Sequence, residues 1–383
     1  MRILMTADAV GGVWTYALEL ARALGAFGIE TTIATMGPAP SVNQRTEALD
    51  VPGLDLVTST FALEWMEDPW RDLDAAGEWL LDIESDVRPS VVHLNGYAHA
   101  ALPWSNPAVV VGHSCVTSWQ QAVGEPIDVA WMRRYRGVIA TGLRAAEWVV
   151  APSAAMLQAL QQLYGPLGNA SVIPNGRDPD RFVPRDKEPF AFAAGRLWDR
   201  AKNIDAVAAI APCLSWPVAV AGQLDPAADL ETRVVYLGQL SSREIAAWLG
   251  RASIFVLPAR YEPFGLLPLE AALAGCALVL GDIASLREIW GDTALYVHPD
   301  DRDELHATIE RLIADPRLLA DRAAAAHSRA LTYTSARMAE RYARLYGALV
   351  HGCQHTGSRH HVARAFKTSG GPAESLARRA KAS

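Results

Sequence analysis

Short apolar runs alternate along this chain with stretches whose apolar residues recur every three or four positions, out to about residue 350. The runs 1–6, 31–35, 90–94, 108–112 and 148–151 read as strands of a first half. The runs 190–194, 217–221, 233–237, 254–258 and 277–280 read as strands of a second. Runs this short and largely apolar suit the strands of a buried sheet. Between them the period changes to helical: from about Val13, the residues Ala17, Leu20, Ala21 and Leu24 fall on one face. Strand–helix alternation of this kind predicts an α/β fold with parallel sheets covered by helices.

The pattern breaks between Pro174-Asn175-Gly176 and Asp186-Lys187-Glu188-Pro189, a stretch rich in proline and charge. With 383 residues the chain exceeds one ordinary core. The expected division is a first domain over 1–176, a linker over 177–189 and a second domain over 190–333. A helix over 334–354 follows, and its apolar stripe of Met338, Tyr342, Leu345, Tyr346 and Leu349 predicts packing back toward the first domain. The remaining 355–383 holds six Lys and Arg against one Glu and little to bury, which predicts a disordered basic tail.

Charge and cysteine content narrow the function. A net charge of −7 lacks the basic surplus of a nucleic-acid binder. Cys115, Cys213, Cys276 and Cys353 are scattered, without the spacing of a disulfide frame or a zinc site. No basic stretch precedes an apolar run at the start, and no apolar run suits a bilayer, so a cytoplasmic location is expected.

The chemistry concentrates in Tyr261-Glu262-Pro263-Phe264-Gly265-Leu266-Leu267-Pro268-Leu269-Glu270. A strand runs into a turn, Gly265 frees the backbone, and a helix starts. Amides at such a start are unpaired and lie at the positive end of the helix dipole, which suits a phosphate. Glu270 follows Glu262 by eight positions, about two helical turns. It sits among Leu269, Ala271, Ala272 and Leu273, and a carboxylate in that company needs a partner.

This segment resembles the E-x7-E motif of retaining glycosyltransferases with two Rossmann-like domains, the GT-B type, and family 4 in particular. Gly11-Gly12-Val13, Ala151-Pro152-Ser153, Val172-Ile173-Pro174-Asn175-Gly176, Gly195-Arg196-Leu197 with Lys202-Asn203, and Arg287-Glu288-Ile289 match in the family's order. The resemblance implies that Arg196 and Lys202 hold a donor diphosphate, helped by Gly265 and the amides of Leu266 and Leu267. It implies that Glu270 takes the ribose hydroxyls, that Glu262 contacts the transferred sugar, that Gly12 admits the diphosphate, and that His113 lies near the reacting carbon. In the family the lysine stands six positions after the glycine of Gly-Arg-Leu. Here Lys202 stands seven after Gly195, so either it or Arg200 is the second phosphate cation. His93 and Asn95, at another strand end, are candidates for the acceptor side.

The implied activity is sugar transfer from a nucleoside-diphosphate sugar to a hydroxyl of a glycan, a lipid-linked glycan or a small molecule, in cell-surface polysaccharide or glycoconjugate synthesis. Three Asp-x-Asp copies occur (Asp72/Asp74, Asp178/Asp180, Asp301/Asp303), none beside the diphosphate constellation, and with Arg and Lys neutralising the phosphates neither a metal nor a cofactor is expected. The segment 131–136 mixes Trp131 and Tyr135 with Arg133, Arg134 and Arg136; it either touches an anionic membrane or packs its rings inward beneath snorkelling arginines. A nicotinamide dehydrogenase would need Gly-x-Gly-x-x-Gly after the first strand, which Ala7-Asp8-Ala9-Val10-Gly11-Gly12 lacks. An inactive scaffold or nucleotide-sugar-binding module of the same fold is the remaining alternative.

Overall fold

The computed structural model describes residues 1–223 and 234–355. The first domain is a seven-stranded sheet of β1 (Arg2–Asp8), β2 (Glu30–Met36), β3 (Leu54–Thr58), β4 (Val91–Leu94), β5 (Ala108–Val111), β6 (Trp148–Ala151) and β7 (Ala170–Val172). Its order is β3-β2-β1-β4-β5-β6-β7, and all neighbours are parallel. The second sheet comprises β8 (Glu188–Ala194), β9 (Val218–Ala221), β10 (Val234–Tyr236), β11 (Ala252–Leu257), β12 (Ala277–Gly281) and β13 (Leu295–Val297), in the order β10-β9-β8-β11-β12-β13. These neighbours are parallel too.

In both sheets the chain winds outward from the first strand on one side, then returns to its other side. The order therefore reverses between β1 and β4 and again between β8 and β11. The crevice outside the carboxyl ends of strands at such a switch point is where open sheets bind ligands. Gly12 follows β1, Asn95 follows β4, Arg196 follows β8 and Glu262 follows β11. The fold thus delivers the candidate residues to its two switch points.

Interior strands are buried throughout, as in β4, β5, β6, β11 and β12. Three edge strands, β3, β7 and β13, escaped the sequence reading. Their residues are mostly half-buried or exposed, so they leave no continuous apolar run. The helix Gly12–Leu24 buries Ala17, Leu20, Ala21 and Leu24 against the first sheet.

The chain crosses between domains twice. The last helix, Ser335–His355, buries Met338, Tyr342, Leu345, Tyr346 and Leu349 in the same core as Trp14, Ile3 and Val91 of the first domain. The two crossings run side by side: Arg177 N donates to Tyr333 O (3.1 Å) and Ser335 N to Arg177 O (3.0 Å). Gly176 permits the approach, because a Cβ there would lie 2.2 Å from Thr334 O. Residues 356–383, and with them nearly all of the basic tail, lie outside the described part. Among the described residues no helix is long and apolar enough to cross a membrane.

Candidate active site between the two sheets

Two helices begin in the cleft without side-chain caps: Gly12–Leu24 behind Gly11, and Leu266–Leu273 behind Gly265. Neither has an acidic residue in its first turn, and just ahead of the first of them the Asp8 carboxylate accepts from Val10 N at 2.9 Å. Gly265 has φ 91°, a left-handed conformation that glycine adopts without strain. Pro268 has no N–H, and the amides of Leu266 and Leu267 have no partner among the described residues. Gly12 faces Leu266 across the cleft: a Cβ on it would lie 3.7 Å from Leu266 Cδ1.

Two cations stand near these helix starts: a Cβ on Gly11 would lie 3.5 Å from Arg196 Nη1, and one on Gly265 would lie 3.3 Å from Cγ of Glu262, the partner of Lys202. Arg196 Nη2 pairs with Asp199 Oδ2 at 2.7 Å, and Lys202 Nζ pairs with Glu262 Oε2 at 2.7 Å. Burial would raise the Asp199 carboxyl, but Arg196, the Trp119 indole N–H at 3.0 Å and Lys202 outweigh it and hold Asp199 low. Arg196 and Lys202 thus each hold a carboxylate of their own. Arg200 instead pairs with Glu125 of the first domain at 3.3 Å and is exposed, so the longer loop leaves Lys202 as the cation beside Glu262. Asn203 anchors that loop, with its Nδ2 donating to Pro258 O (2.9 Å) and Pro299 O (2.6 Å).

Glu270 is buried with an unforeseen partner. Its Oε1 lies 2.8 Å from Arg177 Nε, an ion pair whose angle falls outside hydrogen-bond geometry. Arg177 also bonds Glu19 of the helix Gly12–Leu24, and the three side chains form a buried line from one domain through the crossing to the other. Burial raises the Glu270 carboxyl above its ordinary range, against the pull of Arg177.

His113 is half-buried after β5, and its Nε2 lies 2.9 Å from Asn95 Oδ1. Asn95 Nδ2 donates to Thr6 O at 2.7 Å, which turns its Oδ1 toward the histidines. Two consequences follow from this network. His113 and His93 (3.1 Å) both donate to Oδ1 from Nε2, and His93 Nδ1 accepts from Tyr346 O–H at 2.6 Å. Desolvation, with His93 adding to it, lowers His113 to about 3, so its ring is neutral and Nδ1 is an acceptor without a partner among the described residues. The expectation that His93 lines the acceptor side needs correction. His93 has no solvent exposure and is lowered to about 4 by burial. It supports Asn95 from below.

The sequence reading also missed residues that join the domains. Tyr261, next to Glu262, contacts Ser118 Oγ of the first domain at 2.7 Å. Glu288, in the Arg287-Glu288-Ile289 segment, accepts from the amides of Ala154 (2.7 Å) and Ala155 (2.8 Å), so the second domain caps a helix of the first. Asp199 stands three positions after Arg196, a spacing that could have flagged it. Nothing local marks Arg177 or Glu19 as partners of Glu270. The Asp-x-Asp copies make local bonds: Asp72 accepts from Ala62 N, Asp178 from Asp180 N and Asp301 from Glu304 N. Among the described residues no three His, Cys, Asp or Glu side chains gather into a group able to hold a metal ion. Trp131 stacks on Tyr135 (centroids 5.1 Å apart) and Arg134 lies over Trp70 (4.3 Å), which uses these rings within the fold while Arg133, Arg134 and Arg136 stay exposed.

Known proteins resemble this chain in sequence and in fold. Residues 10–181 match Glycosyltransferase Family 4, and residues 188–315 match Glycosyl transferases group 1. A glycogen synthase of Mycobacterium tuberculosis is 30% identical over 375 residues, spanning 86% of this chain and 90% of that protein. Among solved structures, a sucrose-phosphate synthase from Thermosynechococcus elongatus superposes with a TM-score of 0.77 at 19% identity, covering 92% of this chain and 100% of that one. HepE of Anabaena, solved with UDP and glucose, superposes with a TM-score of 0.71 at 17% identity over 91% of this chain and 100% of its own. This protein therefore belongs to glycosyltransferase family 4: it is a glycosyltransferase with the GT-B fold.

Proposed function

We propose that this enzyme transfers a sugar, with retention of anomeric configuration, from a nucleoside-diphosphate sugar to a hydroxyl of a carbohydrate or lipid-linked acceptor in polysaccharide or glycoconjugate synthesis. The observation that carries this reading is that Arg196 and Lys202, paired with Asp199 and Glu262, stand beside two uncapped helix starts. A leaving diphosphate gains charge in the transition state, and fixed cations and amides stabilise that charge with little reorganisation. Arg196 supplies a planar fork, Lys202 a point charge, and Leu266 and Leu267 two amides.

In this reading the diphosphate displaces Asp199 and Glu262 from their cations. Glu262, freed from Lys202, and His113, an acceptor at Nδ1, take hydroxyls of the transferred sugar. Glu270 turns from Arg177 to the ribose. The acceptor attacks the face that the nucleotide leaves, and a donor phosphate oxygen takes its proton, since His113 is held too low to serve as a strong base. The positive charge already present supports transfer without a metal. Exposed Arg133, Arg134 and Arg136 support peripheral contact with an anionic inner membrane surface.

A thermal-shift screen against UDP-, GDP- and ADP-sugars tests the reading. A donor present at a hundred times its dissociation constant adds about 2.7 kcal/mol of stability. The same donor should shift Glu270→Ala less than wild type, give an axial or equatorial product linkage matching its own, and turn over in EDTA. An inverted product linkage would refute retention, and a shift by no sugar nucleotide would refute the donor assignment.

A further inference from the structure

The loop that carries Lys202 is tied down by a side chain with no part in the contacts described so far. Arg260 stands two positions before Glu262, between β11 and the helix Leu266–Leu273. Its Nη1 donates to Asn203 Oδ1 (2.7 Å) and to Arg200 O (3.0 Å). Its Nε and Nη2 both donate to Asp300 Oδ1, at 2.9 and 2.7 Å. The Arg260 backbone N–H adds a bond to Ala201 O at 2.8 Å. Arg260 thus bonds Arg200, Ala201 and Asn203, the residues around Lys202 in the chain, and leaves the lysine side chain to turn toward Glu262.

A lysine needs such support more than most residues. Several torsions separate its Cα from its ammonium, so the Nζ reaches a fixed place only if the backbone beneath it is fixed. Lys202 gets two further restraints: its stem lies along Gly195, where a Cβ would meet Lys202 Cγ at 3.5 Å, and Asn203 after it is buried. Asn203 has φ 57°, a left-handed conformation in which asparagine is enriched, and it turns the loop into the helix Ile204–Ile210. Four of the five N–H groups of a guanidinium are used in the Arg260 bonds, all within the second domain, so this cation is spent on the loop and not offered to a ligand. The pair with Asp300, whose side chain is 63% exposed, is worth little by itself in water. What remains is the placement of residues 200–203 on the same strand end that bears Glu262.

We propose that Arg260 is a positioning residue for the donor diphosphate: it sets the Lys202 ammonium by clamping residues 200–203 to the strand end that carries Glu262. The inference rests on the donor reading above and deepens it by adding a residue that touches no substrate and acts only through Lys202. A shift of about 1 Å in a group that meets the reacting atoms can cost roughly 100-fold in rate, so a loop released at three residues is enough to matter. With Arg260 gone, Asn203 Oδ1 and Arg200 O lose a charged donor, and the bond from the backbone N–H at position 260 to Ala201 O stays. The loop is then loosened, not unfolded.

Titration calorimetry of the full chain with ADP, GDP and UDP tests this through a double-mutant cycle. The nucleoside diphosphate that wild type binds most tightly should bind Lys202→Met about tenfold or more weakly, and Arg260→Met roughly fivefold or more weakly. A residue that acts through Lys202 has nothing left to place once Lys202 is gone. Arg260→Met combined with Lys202→Met should therefore bind within about twofold of Lys202→Met alone, whereas a residue that only supports the fold would weaken both backgrounds equally. Arg260→Lys, a point charge that reaches one acceptor of the three, should recover part of the loss. Far-UV circular dichroism and the unfolding midpoint establish that the variants are folded; if Arg260→Met is not, Arg260→Lys takes its place in the cycle. Equal weakening in both backgrounds, or unchanged binding in the folded Arg260 variant while Lys202→Met binds weakly, overturns this inference alone. Lys202→Met binding as well as wild type, or no binding of any of the three nucleotides, overturns the donor reading and this inference with it.

Discussion

Arg177 offers a quantitative test of how the two domains are held at their crossing. Its side chain is 2% exposed, and its charge is shared between Glu19, 1% exposed, and Glu270, 8% exposed. Replacing it with Met keeps most of the volume and leaves two buried carboxylates facing each other. Arg181, 3.6 Å from Glu19 and partly exposed, replaces little of the lost charge. Breaking a buried pair by removing one partner costs about 3–5 kcal/mol. For domains of this size that corresponds to a fall of roughly 6–20 °C in the unfolding midpoint.

The loss should depend on pH, and its sign follows from linkage. Burial already raises Glu270 above its unfolded value, and removing Arg177 raises it further. A carboxyl raised in the folded state is accommodated without penalty below its unfolded pKa and costs stability as pH rises through the folded one. Arg177→Met should therefore be only mildly destabilised near pH 5 and strongly so near pH 8, while wild type changes less over that window. Differential scanning calorimetry at both pH values reads this directly. An equal loss at both would mean that Arg177 acts by packing, for instance over Phe182, whose ring centroid lies 5.0 Å away, and the electrostatic account would be wrong.

Three further substitutions probe other parts of the molecule. Gly176→Ala would place a Cβ 2.2 Å from Thr334 O and 2.8 Å from Ser335 N, both backbone, so the paired crossings must separate; the midpoint should drop by several degrees, and an unchanged midpoint would refute the tight pairing. Arg196→Ala should weaken nucleoside-diphosphate binding by roughly 10- to 100-fold, the worth of a hydrogen bond to a charged group at about 1.5–3 kcal/mol, as read by titration calorimetry. Tyr346→Phe removes the hydroxyl that serves His93 Nδ1 at 2.6 Å and should cost about 1–3 kcal/mol, together with a lower kcat/KM because His93 supports Asn95 and Asn95 holds His113. Full activity in that variant would show that the last helix is only a strut.

The charged groups of the site share a feature. Each cation expected to meet the diphosphate is held by a carboxylate: Arg196 by Asp199 and Lys202 by Glu262. The carboxylate expected to meet the ribose is held by Arg177. Such pairs keep long, charged side chains ordered in the cleft before a ligand arrives, so less rotamer entropy is lost on binding.

Strand–helix alternation made the two parallel sheets legible, because strands buried on both faces are largely apolar, as in β4, β5, β11 and β12. It could not show β3, β7 or β13, since an edge strand with a half-exposed face carries no such signature. The local stretch from Glu262 to Glu270 was legible for a related reason: a strand end, a left-handed glycine and a helix start are all encoded within ten residues. The partners of those residues were not. Arg177 stands 93 positions before Glu270 in the chain, and Glu19 lies in another domain, yet the crossing brings all three together. His93 read as a cleft residue because it ends a strand, and only the last helix, laying Tyr346 against it, decided that it is buried. Sequence determines elements through local period and turn chemistry. Which polar groups end up facing one another is set by long-range packing, as the pairing of Glu270 with Arg177 and of His93 with Tyr346 shows.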